Sequence, residues 1–204
     1  MPTIIQESLA DNPVECPRSI SGADRYDEVW EGVRIVTPMP NHEHQVLVGR
    51  LTRILDEIVS DRNLGCVVPG VNISDRIENW QSNYRIPDVA VFLHTTESLN
   101  YDTFWFGGPD FAIEVTSPEE NTPEKLSFYG KVGTRELLVV ERRPWRLELF
   151  RLQGTSLSPA GETTIGNPAV LTSTVLGAEF SLVDASPRPQ IVVRLPAIGR
   201  SWTI

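Results

Sequence analysis

The 204-residue chain carries 27 Asp and Glu against 18 Lys and Arg, a formal net charge of −9 with a pI near 4.9. That balance excludes a general nucleic-acid coat, which needs a surplus of Lys and Arg to meet phosphate, but not a nuclease whose metal neutralises phosphate locally. With 40% hydrophobic and 22% charged residues and no apolar run near the roughly 18 residues of a membrane span, the composition is that of a globular domain long enough to bury a core. The N-terminal residues lack the basic and apolar regions of a secretory signal. The two cysteines, Cys16 and Cys66, read as free thiols of a reducing compartment, so a cytoplasmic location is expected.

Residues 1–25 show no period and contain Pro13, Pro17 and Gly22, which predicts an arm preceding the folded core. Residues 26–37 predict two short strands turning at Glu31-Gly32. Asn41, just after Pro40, is a good N-cap. From it a helix should run to about Ser60, with His44, Leu47, Val48, Leu51, Ile54, Leu55 and Ile58 on one face. A strand over Cys66–Ile73 bends at Pro69-Gly70, and a polar loop holding Trp80 follows. Ile86–Leu93 is an apolar strand bearing Asp88. A loop rich in aromatics (Tyr101, Phe104, Trp105, Phe106) leads to a second apolar strand, Phe111–Thr116, bearing Glu114. After a polar turn, Thr122, Pro123 and Glu124 open a short helix that Gly133 stops. Glu136–Glu141 reads as a buried strand and Trp145–Arg151, which alternates, as its half-exposed partner. Beyond Gly154 short apolar pieces between Gly, Pro and Ser predict small strands, such as Ala169–Thr172 and Ile191–Leu195.

The order of elements predicts an α/β (α+β) domain with a mixed central sheet. Residues 26–155 form its core, and 156–204 a β extension of the same domain. Its chemistry concentrates on the two acid-bearing strands. A carboxylate inside an apolar strand is costly unless it is paired or binds a cation. Asp88 shares a face with Ala90 and Phe92, and Glu114 shares one with Thr116. If the strands are neighbours in register, the two carboxylates meet at one edge. Mg²⁺ favours such a site, taking one or two carboxylates and completing its shell with water and substrate phosphate. A following lysine, Lys125, can orient a water or offset charge developing on the phosphate.

The pattern resembles the PD-(D/E)xK nuclease superfamily. Pro87-Asp88 stands for PD and Glu114-Val115-Thr116 for (D/E)xK, with Thr116 where the lysine belongs. Lys125, in the first turn of the next helix, offers the migrated lysine of that superfamily. Five segments in order make the resemblance closer to the Uma-two family of restriction-endonuclease-like proteins. They are Glu31-Gly32 and the stretches 40–51, 86–92, 108–118 and 124–133, and together they lie within roughly residues 24–152. The resemblance implies a restriction-endonuclease-like fold whose central sheet is flanked by helices. It also implies Mg²⁺ (or Mn²⁺) held by Asp88 and Glu114, and hydrolysis of phosphodiester bonds, most naturally of DNA. An acid from the N-terminal elements, Glu31, would join the metal shell. His44, in the first turn of the long helix, would orient a carboxylate or water. A homodimer suits two cuts in a duplex.

Blander readings stand beside these. Asp88 follows a proline at a strand start, where a capping Asp is common. Lys125 and Lys131 can be solvated helix residues, and a lone histidine on an apolar face is usually a satisfied core residue. The aromatic loop at 101–106 can stack bases, but it can equally pack on the core or on a second subunit. A nuclease-fold binding or assembly module that no longer cuts is the alternative function, favoured by Thr116 and the acidic pI. A hydrolase of small phosphorylated substrates would share the metal site but lack a basic groove. No His/Cys spacing suggests zinc, and there is no phosphate-binding glycine loop and no nucleophile elbow.

Overall fold

The long amphipathic helix starts where its cap places it. The Asn41 side chain accepts the His44 backbone N–H at 2.9 Å, and helix α1 spans His42–Ile58 with Leu47, Val48, Leu51, Ile54, Leu55 and Ile58 buried. The structure is a computed structural model and describes residues 24–36, 39–116 and 122–204. The arm expected over residues 1–25 lies almost wholly outside these, as do Cys16 and the polar turn before Thr122.

The apolar stripe of α1 rests on a six-stranded mixed sheet in the order β12-β11-β10-β9-β6-β3. Its strands are β3 (Gly65–Pro69), β6 (Val89–Leu93), β9 (Phe111–Thr116), β10 (Glu136–Arg142), β11 (Trp145–Gln153) and β12 (Ser156–Thr164). Strand β9 runs parallel to β10 and antiparallel to β6. Because side chains alternate along a strand, the sheet has two apolar faces. Val89, Val91, Phe111, Ile113, Val115, Leu138 and Val140 meet α1 on one side. Ala90, Phe92, Ala112, Leu137 and Val139 meet Phe128 and Tyr129 of helix α2 (Thr122–Lys131) on the other. Helix α2 lies close to the β11–β12 hairpin because residue 130 is glycine. A Cβ there would stand 2.7 Å from the Thr155 carbonyl oxygen.

A second sheet has the order β2-β1-β5-β4-β8-β7. It gathers short strands β1 (Glu28–Trp30), β2 (Val33–Ile35), β4 (Ile73–Ser74), β5 (Tyr84–Arg85), β7 (Leu99–Asn100) and β8 (Trp105–Phe106). Through Ile73 it joins the α2 side of the core. The stretch expected as one bent strand over Cys66–Ile73 is thus two, split between sheets at Pro69-Gly70. Rings of the aromatic loop pack on the protein itself: Trp105 stacks on Phe92 at 3.6 Å between centroids and Phe104 on Trp80 at 4.8 Å. A third sheet, β13 (Leu171–Thr172), β14 (Glu179–Val183), β15 (Gln190–Leu195) and β16 (Arg200–Thr203), shares the α1 core through Phe180, Ile191 and Val193. Among the described residues no helix is long and apolar enough to cross a membrane.

Candidate active site

The antiparallel register of β6 and β9 pairs Val89 with Ile113 and Ala90 with Ala112. Continued by one residue, it sets Asp88 opposite Glu114, as expected if the two strands were neighbours. Asp88 sits at the sheet end, between layers. Its Oδ2 accepts the Val115 backbone N–H at 2.7 Å, and its Oδ1 lies 3.2 Å from His44 Nε2. His44 thus leans from the first turn of α1 onto Asp88, and its buried Nδ1 finds no partner among the described residues.

Glu114 turns to the opposite layer and is 3% exposed. Tyr129 donates its phenol to Oε1 at 2.5 Å, and Lys125 Nζ lies 3.2 Å from Oε2. Both residues project from α2, four positions apart and so one above the other. Lys125 also lies 3.3 Å from Oε1 of Glu28, a third carboxylate, which is 2% exposed. Backbone and indole hold Glu28 in place: Ile86 N–H donates to Oε1 at 2.9 Å and Trp30 Nε1–H to Oε2 at 2.8 Å.

The electrostatics follow from this crowding. Burial pushes the Glu114 carboxyl up, to about 8. The Lys125 ammonium opposes that shift, while the charges of Asp88 and Glu28 add to it and the Tyr129 hydrogen bond resists it. Burial and the facing Glu114 likewise hold the Tyr129 phenol well above its ordinary value. Two carboxylates on one lysine, with the Asp88 charge nearby, leave a surplus of negative charge, and their donors are hard oxygens. That set suits a divalent cation of the Mg²⁺ or Mn²⁺ type. Among the described residues no three His, Cys, Asp or Glu side chains converge as a ready metal cage. A cation here would therefore take two carboxylates and leave its other positions to water and phosphate.

Glu31 stands apart from this group. It occupies the exposed β1–β2 turn with φ +47°, followed by Gly32 at φ +83°, and this left-handed pair points its carboxylate outward. There Arg76 Nη2 lies 3.0 Å from Oε2 and Asn83 Nδ2 donates to Oε1 at 3.0 Å. The acid from the N-terminal elements that reaches Lys125 is Glu28. Lys131 is 60% exposed and pairs with Asp75 at 2.6 Å.

The family model of Uma2, described as "Putative restriction endonuclease", matches residues 18–182, well over half of the chain. The chain belongs to the Uma2 family. No curated protein sequence matches it. Among solved structures, a crystal structure described as a "putative nuclease belonging to DUF820" from Anabaena variabilis superposes with a TM-score of 0.57 at 17% identity. The match covers 74% of this chain and 83% of that one. At that identity the likeness concerns the fold, and it agrees with the mixed α/β nuclease-like architecture.

Within this Uma2 chain, sequence reasoning passed over Glu28 and Tyr129. Glu28 had a legible signal, because it shares a strand face with Trp30 and so points inward with it. Tyr129 had one in its spacing of four from Lys125.

Proposed function

We propose that this Uma2 protein is a metal-dependent nuclease that hydrolyses phosphodiester bonds of DNA. The observation that carries the reading is the surplus of carboxylate around Lys125. Glu114 is buried, lies in the field of Asp88, and has the Lys125 ammonium to share with Glu28. Asp88 and Glu114 would hold the metal, with Glu28, rather than Glu31, as the nearby third acid. A bound Mg²⁺ or Mn²⁺ would supply charge neutralisation at the phosphate and a more acidic water.

The chain's own residues have distinct tasks in this scheme. Lys125 stands where a lysine of the (D/E)xK motif is needed, since position 116 is threonine. Its ammonium can orient the attacking water and meet charge that develops on the phosphate oxygens. His44 fixes one oxygen of Asp88, and the Val115 amide fixes the other. Tyr129 fixes one oxygen of Glu114 and leaves the second toward Lys125. Glu28 holds Lys125 from behind. The water oxygen bonds to phosphorus as it gives up a proton to solvent, the bond to the leaving oxygen breaks, and that oxygen takes up a proton from solvent, giving a phosphomonoester and an alcohol. A homodimer would set two such sites on the two strands of a duplex, and sedimentation would then show twice the 22.8 kDa chain mass.

Nicking of supercoiled plasmid in Mg²⁺ and Mn²⁺ tests this. Wild type should nick, and both Asp88→Ala and Lys125→Ala should not. Equal nicking by all three preparations would sink the site assignment. The second reading, a nuclease-fold binding module that does not cut, rests on Thr116 and on the pairing of Lys125 with two acids. It predicts no nicking and no calorimetric signal for either metal.

A further inference from the structure

One arginine lies in the interior with no carboxylate in salt-bridge contact among the described residues, although it feels the charge of Glu28. Arg85 is 5% exposed and ends β5. It forms part of the wall of a cleft of about 220 Å³ whose other walls include Asn83, Ser127, Phe128 and Lys131. Both faces of its guanidinium are covered, with Cζ 4.2 Å from the Trp30 ring centroid and 4.4 Å from that of Phe128. One edge is saturated. Nη1 donates to the carbonyls of Val29 at 3.1 Å and Tyr84 at 3.0 Å and to Asn83 Oδ1 at 3.1 Å.

The other edge is idle. Among the described residues Nε is buried without an acceptor and no hydrogen bond engages Nη2. Nε–H and Nη2–H point side by side, the fork that arginine offers to a carboxylate or phosphate. A buried guanidinium with idle donors is costly, and an oxyanion reaching that edge from the cleft would relieve the cost.

We propose that this cleft is an oxyanion site, in which the free edge of Arg85 takes a backbone phosphate of the nucleic acid next to the bond being cut. The oxyanion site stands on geometry alone; its assignment to a nucleic-acid backbone rests on the nuclease reading. The cleft is linked to the acid cluster through Trp30 and through helix α2. Trp30, which lies on the guanidinium, donates to Glu28, and Glu28 faces Lys125. Helix α2 serves both places: Ser127, Phe128 and Lys131 face the cleft, while Lys125 and Tyr129 face Glu114. The ligand's charge is also constrained. Glu31 and Glu124 stand at the cleft, which suits a singly charged diester better than a phosphate dianion.

The test uses the full chain with its arginine side chains labelled with ¹⁵N, kept in EDTA so that nothing turns over. The probes are dimethyl phosphate, inorganic phosphate and a short DNA duplex. The Arg85 Nε–H signal, identified by its loss in Arg85→Lys, should shift saturably with dimethyl phosphate and with DNA, and less with inorganic phosphate. Ser127→Glu, at an exposed position of the cleft wall, should abolish both shifts and weaken duplex binding by about tenfold in Ca²⁺. Ser127→Gln should do neither. An unmoved Arg85 signal while duplex binds Ser127→Glu as tightly as wild type overturns the site and leaves the nuclease reading intact. A shift with dimethyl phosphate but none with DNA takes the nucleic acid out of the cleft and overturns the proposal as stated. Absent plasmid nicking with both shifts present removes the catalytic reading and keeps the site.

Discussion

Glu114 and Glu136 lie on adjacent parallel strands, one opposite Val139 and the other opposite Phe111, and they are 3% and 1% exposed. Each faces one basic side chain, yet they behave in opposite ways. Glu136 accepts from Arg151 Nε at 2.9 Å, Ser173 Oγ at 2.5 Å, Thr174 Oγ1 at 2.8 Å and the Thr174 backbone at 3.1 Å. Burial opposes its ionisation, but these donors outweigh it and hold the carboxyl below its ordinary value. Glu114 shares its single ammonium with Glu28 and lies in the field of Asp88, and its carboxyl is raised. A buried acid in an apolar sheet is therefore not by itself a site. The donors it collects decide, and Glu136 is a strut tying the β13 segment to the central sheet while Glu114 is left short of positive charge.

The largest effects should separate these roles. Lys125→Ala and Glu114→Gln are expected to cut plasmid nicking by about 10²–10³-fold, the scale for losing a donor to transition-state charge, with the fold retained by circular dichroism. Glu136→Gln, assayed below its melting temperature, should nick at close to the wild-type rate. The reverse pattern would invert the comparison.

Glu136→Ala should instead cost stability. It strands the hydroxyls of Ser173 and Thr174 and leaves Arg151 without its carboxylate. We expect a loss of about 2–4 kcal/mol, discounted because Arg151 is partly exposed. In a chain of this size that is about 5–15 °C in thermal melting. A melting temperature within a degree of wild type would show that Glu136 is no strut.

How far these roles can be read from the sequence differs between them. The pair Asp88 and Glu114 was legible because each acid interrupts an apolar run, and α1 because its stripe and cap agree. Glu136 was hidden as the first residue of a strand, where an acid ordinarily looks solvent-facing. Its donors come from residues 151 and 173–174, whose proximity depends on the third sheet. The strands beyond Gln153 were only partly legible, since β12, at the edge of the central sheet, contains Pro159 and Gly161. These fit beside a register shift at Leu149/Phe150, but they read in sequence as breakers. Glu31 was named because the resemblance implies an acid from the N-terminal elements, and Glu28 was passed over; Glu31 occupies a left-handed turn and is exposed.

A smaller effect should appear at His44. His44→Ala removes the group 3.2 Å from Asp88 Oδ1 while leaving both carboxylates in place. Calorimetry should show Mn²⁺ affinity lowered by about 10–100-fold, as for other groups that orient a metal ligand. Unchanged affinity would make His44 a core residue only.

The smallest expected effect is in the pH dependence of stability, where the two acids should act with opposite sign. Glu136, with its folded carboxyl depressed, contributes stability that is present above the ordinary glutamate value of about 4.3 and lost as pH falls through its folded value. Glu114 works the other way in metal-free protein. Between about 4.5 and about 8 the folded state holds its proton and the unfolded chain does not, so stability declines as pH rises through that window. Thermal melts in EDTA from pH 4 to 9 should show both slopes in wild type. Glu114→Gln should lose the alkaline slope, and Glu136→Gln the acid one. Mn²⁺ should flatten the alkaline slope of wild type and of Glu136→Gln alike, because a cation held by Glu114 takes the place of its proton. Retention of the alkaline slope in Glu114→Gln would locate the strained charge elsewhere, and the contrast between the two glutamates would then rest on Glu136 alone.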